Sequence, residues 1–392
     1  MTLPAVVGRA ALTLLLFLGA AAASAQTPPA TTATPPAPAQ KPESVYDRIW
    51  KFAEWYRNDK NPSVQRVLFT GRFHQDFATV DADQGDAREA NLRRLRLGPR
   101  ITLFRTFLVH AEVELNPQER NPTYVRLTDA YVQWTKNPQV VLTAGKQAMP
   151  FTQEGATSSR ELLTIDRSNI GNNIWFPQEY LPGVSLSGRR GLWNYRGGVY
   201  STGASNREFG ELNASVATLG VVGYDLSKRL GAREALLTGN YVYQDADATH
   251  GARFSRDLAH IGSVNFRFEA GRWGVRADLS AAKGMLAQPD LASVMAMPFF
   301  NITPQLQAVA RYTHIGSDGP NGIRLTTYEN RVVVDRNRGD EFNELYAGAN
   351  YYFYGHRLKL QSGVQIGDMN DSAADGGAFS GVSWTTGLRV GW

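Results

Sequence analysis

From about Val64 onward the chain alternates between apolar and polar side chains with a period of two. In segment 264–270, Val264, Phe266 and Phe268 fall on one face and Asn265, Arg267 and Glu269 on the other. Segment 273–280 repeats the pattern, as does 306–313, where Val309 is the one apolar member of the polar face. In 382–392, Val382, Trp384, Thr386, Leu388, Val390 and Trp392 oppose Ser383, Thr385, Gly387, Arg389 and Gly391. Such alternation predicts strands with one wet and one greasy face. The polar face carries Arg, Asp, Glu, Asn and Gln, whereas aromatic residues such as Tyr351, Phe353, Trp384 and Trp392 stand near strand ends on the apolar face. A soluble sandwich buries its apolar face. A membrane barrel turns that face to lipid, flanks it with aromatic girdles and lines its lumen with the polar one. The second arrangement fits better.

Sixteen such segments run from 64–78 to 379–392, each close to the ~9–11 residues that a tilted strand needs to cross a bilayer. Connections after odd-numbered segments are long, as in 150–181 and 315–342. Those after even-numbered segments are short, as in 136–139, 270–272 and 303–304. Long loops on one rim and tight turns on the other are expected of a transmembrane barrel. The fold class predicted is all-β: an antiparallel transmembrane barrel of about 16 strands with a short N-terminal helix. Trp392, closing an alternating segment, suits recognition by the barrel-assembly machinery; an edge strand ending in Trp by chance is the alternative.

Before the barrel, the pattern changes three times. Arg9 precedes an apolar run at 10–18, and Ala23, Ser24 and Ala25 follow, which reads as a secretory signal peptide over 1–25. An N-terminal membrane anchor is the alternative. Residues 26–43 are dominated by Thr, Pro, Ala and Gln and read as an extended tether. Within 44–60, Val45, Ile49, Phe52, Ala53 and Tyr56 have helical spacing after Ser44, predicting a short amphipathic helix. Packing against the body of the protein is the first reading of this helix; the alternative is a membrane boundary or a subunit contact, which Trp50, Trp55 and Tyr56 would suit. The barrel domain is 64–392.

Composition narrows the chemistry. The 392 residues carry a net charge of +5, 37 Gly, 16 Tyr and no Cys, which removes disulfides, thiolate nucleophiles and thiolate metal sites together. His74, His110, His250, His260, His314 and His356 have no zinc-ligand spacing, and neither a G-x-S-x-G elbow nor a P-loop occurs. No metal, cofactor or enzymatic activity is expected, although a Ser–His hydrolase assembled in space stays open. Basic residues scattered over alternating strands among acids make no nucleic-acid platform.

By parity Arg72, Arg94, Arg96, Arg196, Arg267, Arg276, Arg311 and Arg389 should face the lumen, together with Asp76, Glu112, Glu114, Asp129, Glu269 and Asp278. Rows of guanidinium groups along a pore select for anions; the alternative is that these groups pair across strands and stiffen the wall. Arg93 has the lipid-facing parity and is assigned to the rim or a subunit contact. Loop 150–181 is long enough to be functional. Its Thr157, Ser158, Ser159, Arg160, Asp166, Arg167 and Ser168 would narrow the pore if the loop folded inward.

Segments 71–77, 93–98, 129–132, 145–151, 157–160, 182–188 and 306–312, taken in order and spacing, resemble the phosphate-selective porin O and P family of outer-membrane channels. The resemblance implies a sixteen-stranded homotrimeric porin, an inward-folded third external loop, and lumen cations that guide phosphate or polyphosphate. It places Arg72, Arg94 and Arg96 at lumen-basic positions and Arg160 at the constriction-loop arginine. Where the family usually has a lysine two places before the Pro–Phe pair, this chain has Ala148, and its own lysine is Lys146.

The expected function is passive diffusion of small solutes through an Arg-lined, water-filled pore, with small anions such as phosphate preferred. The anion-pathway candidates are Arg72, Arg94, Arg96, Lys146, Arg160, Arg167, Arg267, Arg276 and Arg311. A structural or adhesive outer-membrane barrel with a plugged lumen remains the alternative reading. Expected partners are outer-membrane lipid, the assembly machinery and further copies in a trimer, with no nucleic acid.

Overall fold

In the computed structural model, residues 43–118, 123–175, 180–201, 216–245, 257–333 and 338–392 are described. The expected signal peptide and all but the last residue of the tether lie outside them. Helix α1, Val45–Trp50, begins at Ser44, whose hydroxyl accepts the Asp47 amide while the Asp47 carboxylate accepts the Ser44 amide. This reciprocal box satisfies two of the helix's orphan donors.

The helix is shorter than its spacing predicted. After a 3₁₀ turn at Lys51–Ala53, the chain extends into strand β1, Glu54–Arg57, which pairs with β2, Val64–Ala82. Trp55 stacks on Phe69 at 5.1 Å between ring centroids, and Arg66 binds Glu54. An available sheet edge outcompeted local helical spacing.

Sixteen strands close the barrel. They are β2, β3 (Gly85–Leu103), β4 (Phe107–Leu115), β5 (Tyr124–Asn137), β6 (Val140–Ala148), β7 (Tyr180–Arg190), β8 (Trp193–Ser201) and β9 (Val216–Asp225), then β10 (Glu234–Gln244), β11 (Leu258–Ala270), β12 (Trp273–Gly284), β13 (Leu291–Asn301), β14 (Leu306–Ser317), β15 (Glu341–Tyr354), β16 (Leu358–Asn370) and β17 (Phe379–Gly391). Each pairs antiparallel with the next, and β17 pairs with β2 from Arg72 opposite Gly391 to Ala82 opposite Gly381. The closing seam leaves no unpaired sheet edge, as a bilayer demands. Loops do sort by parity, with two exceptions, one being connection 226–233 on the short-turn side, which holds a helical turn at Ser227–Leu230. The first external connection is a tight turn at 83–84, because β2 and β3 continue as a long hairpin through residues the alternation had left to a loop.

Burial alternates as predicted. Val382, Trp384 and Leu388 are exposed on the outer wall while Ser383, Thr385 and Arg389 are buried within. Phe77, Val184, Val264, Leu345 and Ile366 continue the outer apolar belt.

The interior departs from a simple water-filled tube. Segment 149–175 folds inward, and its Phe151, Ile170, Ile174 and Trp175 are buried against a cluster that includes lumen-facing Met295, Phe299, Ile315, Phe342, Met369 and Phe379. Segment 318–333 also turns inward, burying Ile323, Leu325, Tyr328 and Val333. Part of the lumen is therefore packed with apolar groups, because two loops rather than water fill it on that side.

Candidate functional site

The site is built where β3, β4 and β5 face the inward loop, and two β-bulges shape it. Between β2 and β3, His74 pairs with Arg94 but Gln75 pairs with Leu92, so Arg93 is the extra residue. Between β4 and β5, Glu112 pairs with Asp129 and Val113 with Leu127, so Thr128 is extra. A bulge re-aims side chains. Arg93, expected at the lipid side or rim, is thereby turned inward beside Arg94, and its Nε and Nη2 donate to Asp166 of the loop at 3.1 and 2.9 Å.

A cavity of about 340 Å³ lies between the loop and the wall from β2 to β8. Five arginines line it (Arg72, Arg94, Arg96, Arg167 and Arg196) against one carboxylate, Asp129. Tyr131, Gln133, Thr143, Gln147 and Tyr180 add hydroxyl and amide groups, and Ala148 stands in the wall. Arg72 donates to Glu112 at 2.8 Å and to Ser159 of the loop at 2.9 Å. Arg96 holds Glu114 through two nitrogens, at 3.1 and 3.3 Å, and donates to the Tyr180 hydroxyl. Arg126, which the sequence reading did not single out, also holds Glu114.

Arg94 is different. It is 5% exposed, and its guanidinium makes no hydrogen bond or ion pair with any described residue, although it feels the Asp166 charge. Arg94 and Arg96 sit two residues apart on one strand face, about 7 Å. Arg96 is compensated there by Glu114, whereas Arg94 has no such ion pair. Arg196, on β8, is likewise unpaired among described residues.

The loop's own cations behave otherwise. Arg167 donates to the Glu154 and Thr157 carbonyls, both at 2.8 Å, and lies over the Trp175 ring at 4.5 Å, so it staples the loop to itself while one side meets the cavity. Burial pushes it down to about 10, and Arg160 likewise to about 10, leaving both charged at neutral pH. Arg160 stands 3.8 Å from Glu112. Burial alone would raise the Asp166 carboxyl, but Arg93, Arg94 and Arg167 hold it well below the usual carboxylate range.

A second cavity, about 870 Å³, opens toward the short-turn rim beside residues 271–272, 303–305 and 355–356. There the signs balance: Arg233, Arg267, Arg272 and Arg276 face Glu154, Glu161, Glu234 and Glu269. Arg267 and Arg276 share Glu234 at 3.0 and 2.8 Å. For these two residues, wall-stiffening pairs describe the arrangement.

Arg160 lines neither cavity, and two other candidates also lie outside both. Arg311, 2% exposed, binds Glu344 at 2.7 Å and the loop's Thr164 hydroxyl and Asp166 carbonyl at 2.9 and 3.0 Å, so it anchors the constriction loop. Lys146 is fully buried opposite Ala130 and Pro182. It lines neither cavity. Lys359, unremarked in the sequence, donates to the Leu162 carbonyl at 2.6 Å and is a further anchor. Among the described residues no cluster of His, Asp and Glu could hold a metal ion.

The model of the family described as phosphate-selective porin O and P matches residues 67–263. The chain belongs to that family. No curated protein matches it significantly. Among solved structures, the anion-selective porin from Comamonas acidovorans shares 14% identity at a TM-score of 0.58, over 83% of this chain and 99% of that one. The outer membrane channel DcaP of Acinetobacter baumannii shares 13% identity at 0.56, over 86% and 99%. OmpF of Salmonella typhi, solved with daunomycin, shares 10% identity at 0.60, over 86% and 100%. At such identities the likeness is one of fold: a sixteen-stranded outer-membrane barrel. Family membership and this fold make the protein an outer-membrane channel rather than an enzyme.

Proposed function

We propose that this porin O and P family member is a diffusion channel that prefers small anions, with Arg94, flanked by Arg72, Arg96 and Arg196, as the selecting element. The observation that carries this reading is the five-to-one excess of arginine over carboxylate in the 340 Å³ cavity, with Arg94 unpaired there. Fixed cations in a narrow aqueous path with low-dielectric walls concentrate counter-ions. Arginine keeps its charge at any relevant pH and offers a planar fork to phosphate or carboxylate. The balanced larger cavity would act as a vestibule of low selectivity. Ala148 in the wall and Lys146 outside it support general anion permeation over tight phosphate retention.

Around this core the reading includes export with removal of 1–25, a tether at 26–43, a homotrimer of the kind the family resemblance implies, and recognition of β17 by the assembly machinery. Native mass spectrometry of the purified protein reads the mature N-terminus and the copy number together.

Planar-bilayer recordings with chloride, phosphate and a bulky cation test the channel. Permeation by both anions above the cation supports the reading, and reversal potentials favouring cations refute it. One observation favours a second reading, a structural barrel with a plugged lumen: two inward loops fill much of the interior with apolar groups. That reading expects no unitary conductance at all.

A further inference from the structure

No described residue of loop 318–340 lines either cavity, yet segment 318–333 is tied to the constriction loop from two directions. On one side, helix α2 of the constriction loop, Asn169–Asn173, meets it: Asn172 Nδ2 donates to the Leu325 carbonyl at 2.6 Å, Asn173 Nδ2 donates to the Arg324 carbonyl at 2.9 Å, and Asn173 Oδ1 accepts the Arg324 amide at 2.8 Å. On the other side, the Tyr328 hydroxyl donates to Asp76 Oδ2 at 2.7 Å. Asp76 is fully buried, and its other oxygen accepts from Arg389 across the closing seam between β2 and β17. Arg389 Nη2 in turn donates to the Ile165 carbonyl at 2.9 Å. The next residue is Asp166, the carboxylate that Arg93 holds.

We propose that segment 318–333 is a selectivity-setting brace: Tyr328, through Asp76 and Arg389, positions Ile165 and Asp166 so that Asp166 stays paired with Arg93 and leaves Arg94 without an ion pair. This rests on the anion reading above and names the device that maintains it. Arg93 and Arg94 are neighbours on one bulge, both facing the lumen, and one loop carboxylate lies between neutralising the first or the second. With the carboxylate on Arg93, the unpaired cation borders the cavity. With the loop shifted, Asp166 would pair with Arg94 and the cavity would lose its uncompensated charge without losing any residue. Tyr328 is thus a positioning residue, remote from the permeating ion.

The test uses the full-length protein in planar bilayers, reading the anion-to-cation permeability ratio from the reversal potential in a salt gradient. Tyr328→Phe removes one hydroxyl and keeps the ring. It is expected to lower the ratio about threefold, with the barrel still heat-modifiable on gels. In an Asp166→Asn background the same substitution is expected to change nothing, because no carboxylate remains to move; this double-mutant cycle separates positioning from general loosening. Should Tyr328→Phe fail to assemble, Asn173→Ala loosens the brace's other tie, the one to Arg324, and is expected to lower the ratio likewise. An unchanged ratio in the assembled variant, or an equal drop in both backgrounds, overturns the brace. A ratio insensitive to Arg94→Gln overturns the anion reading and the brace with it; a ratio lowered by Arg94→Gln but not by Tyr328→Phe overturns the brace alone.

Discussion

Arg93 and Asp166 lie 2.9 Å apart across the lumen's edge, although strict alternation along β3 would point Arg93 at lipid. The bulge that turns Arg93 inward also sets the role of its neighbour. Arg93 takes the close ion pair with Asp166, and Arg94 feels that carboxylate only from farther off.

Parity on this strand gives the most direct contrast in the wall. Leu95 lies between Arg94 and Arg96 and pairs with Phe73 and Leu115. Leu95→Glu places a charge on the lipid face, which costs up to about 2–4 kcal/mol near mid-membrane for basic residues and less for acids. It should lower the yield of inserted barrel in outer-membrane fractions while leaving the selectivity of the inserted fraction intact.

Arg311 is predicted to matter for stability rather than conduction. Removing it strands the fully buried Glu344 and the nearly buried Glu154. Breaking a buried pair in this way costs about 3–5 kcal/mol. Arg311→Met should lower the denaturant midpoint of the folded barrel by a corresponding amount, and a midpoint within error of wild type would remove Arg311 from the anchor role.

The closing seam makes a sharper steric prediction. Gly71 exchanges backbone hydrogen bonds with Trp392, and a Cβ there would stand 2.3 Å from the Trp392 ring and 2.7 Å from the Arg96 carbonyl. Gly71→Ala should cost about 1–3 kcal/mol by overpacking and reduce the heat-modifiable fraction on gels. Gly239→Ala, with nothing within 4 Å of its Cβ, should not.

In the balanced vestibule, Arg267→Gln leaves Glu234 still paired to Arg276. Its effect on the permeability ratio should stay below about twofold, well short of that of Arg94→Gln. Equal effects from the two would mean that selectivity is spread along the lumen rather than set at the cavity between β2 and β8.

Most of the barrel was legible in the sequence because lipid on one side and polar groups on the other impose a two-residue period on every strand. That period predicted the outward Trp384 and Leu388 and the inward Arg389 without reference to contacts. It failed where chain geometry leaves the ladder. Arg93 was misplaced because a bulge adds a residue without leaving a compositional mark. Trp55 and Tyr56 have helical spacing, yet they extend because the lower edge of β2 is open to them.

The candidate site was only half legible. Parity finds which arginines face inward but not which carboxylate each one meets, and that distinction separates Arg94 from Arg311. The inward fold of segment 318–333 was hidden altogether. Arg324, Leu325 and Tyr328 bond partners more than a hundred residues away, a relation no local pattern encodes.

The measurement that bears most directly on the central claim is the zero-current potential across a bilayer holding wild type or Arg94→Glu in a potassium chloride gradient. The account predicts a wild-type potential on the chloride side of zero and a clear shift toward or past zero in the variant. A cation-side potential in wild type, or one that Arg94→Glu leaves in place, would contradict it.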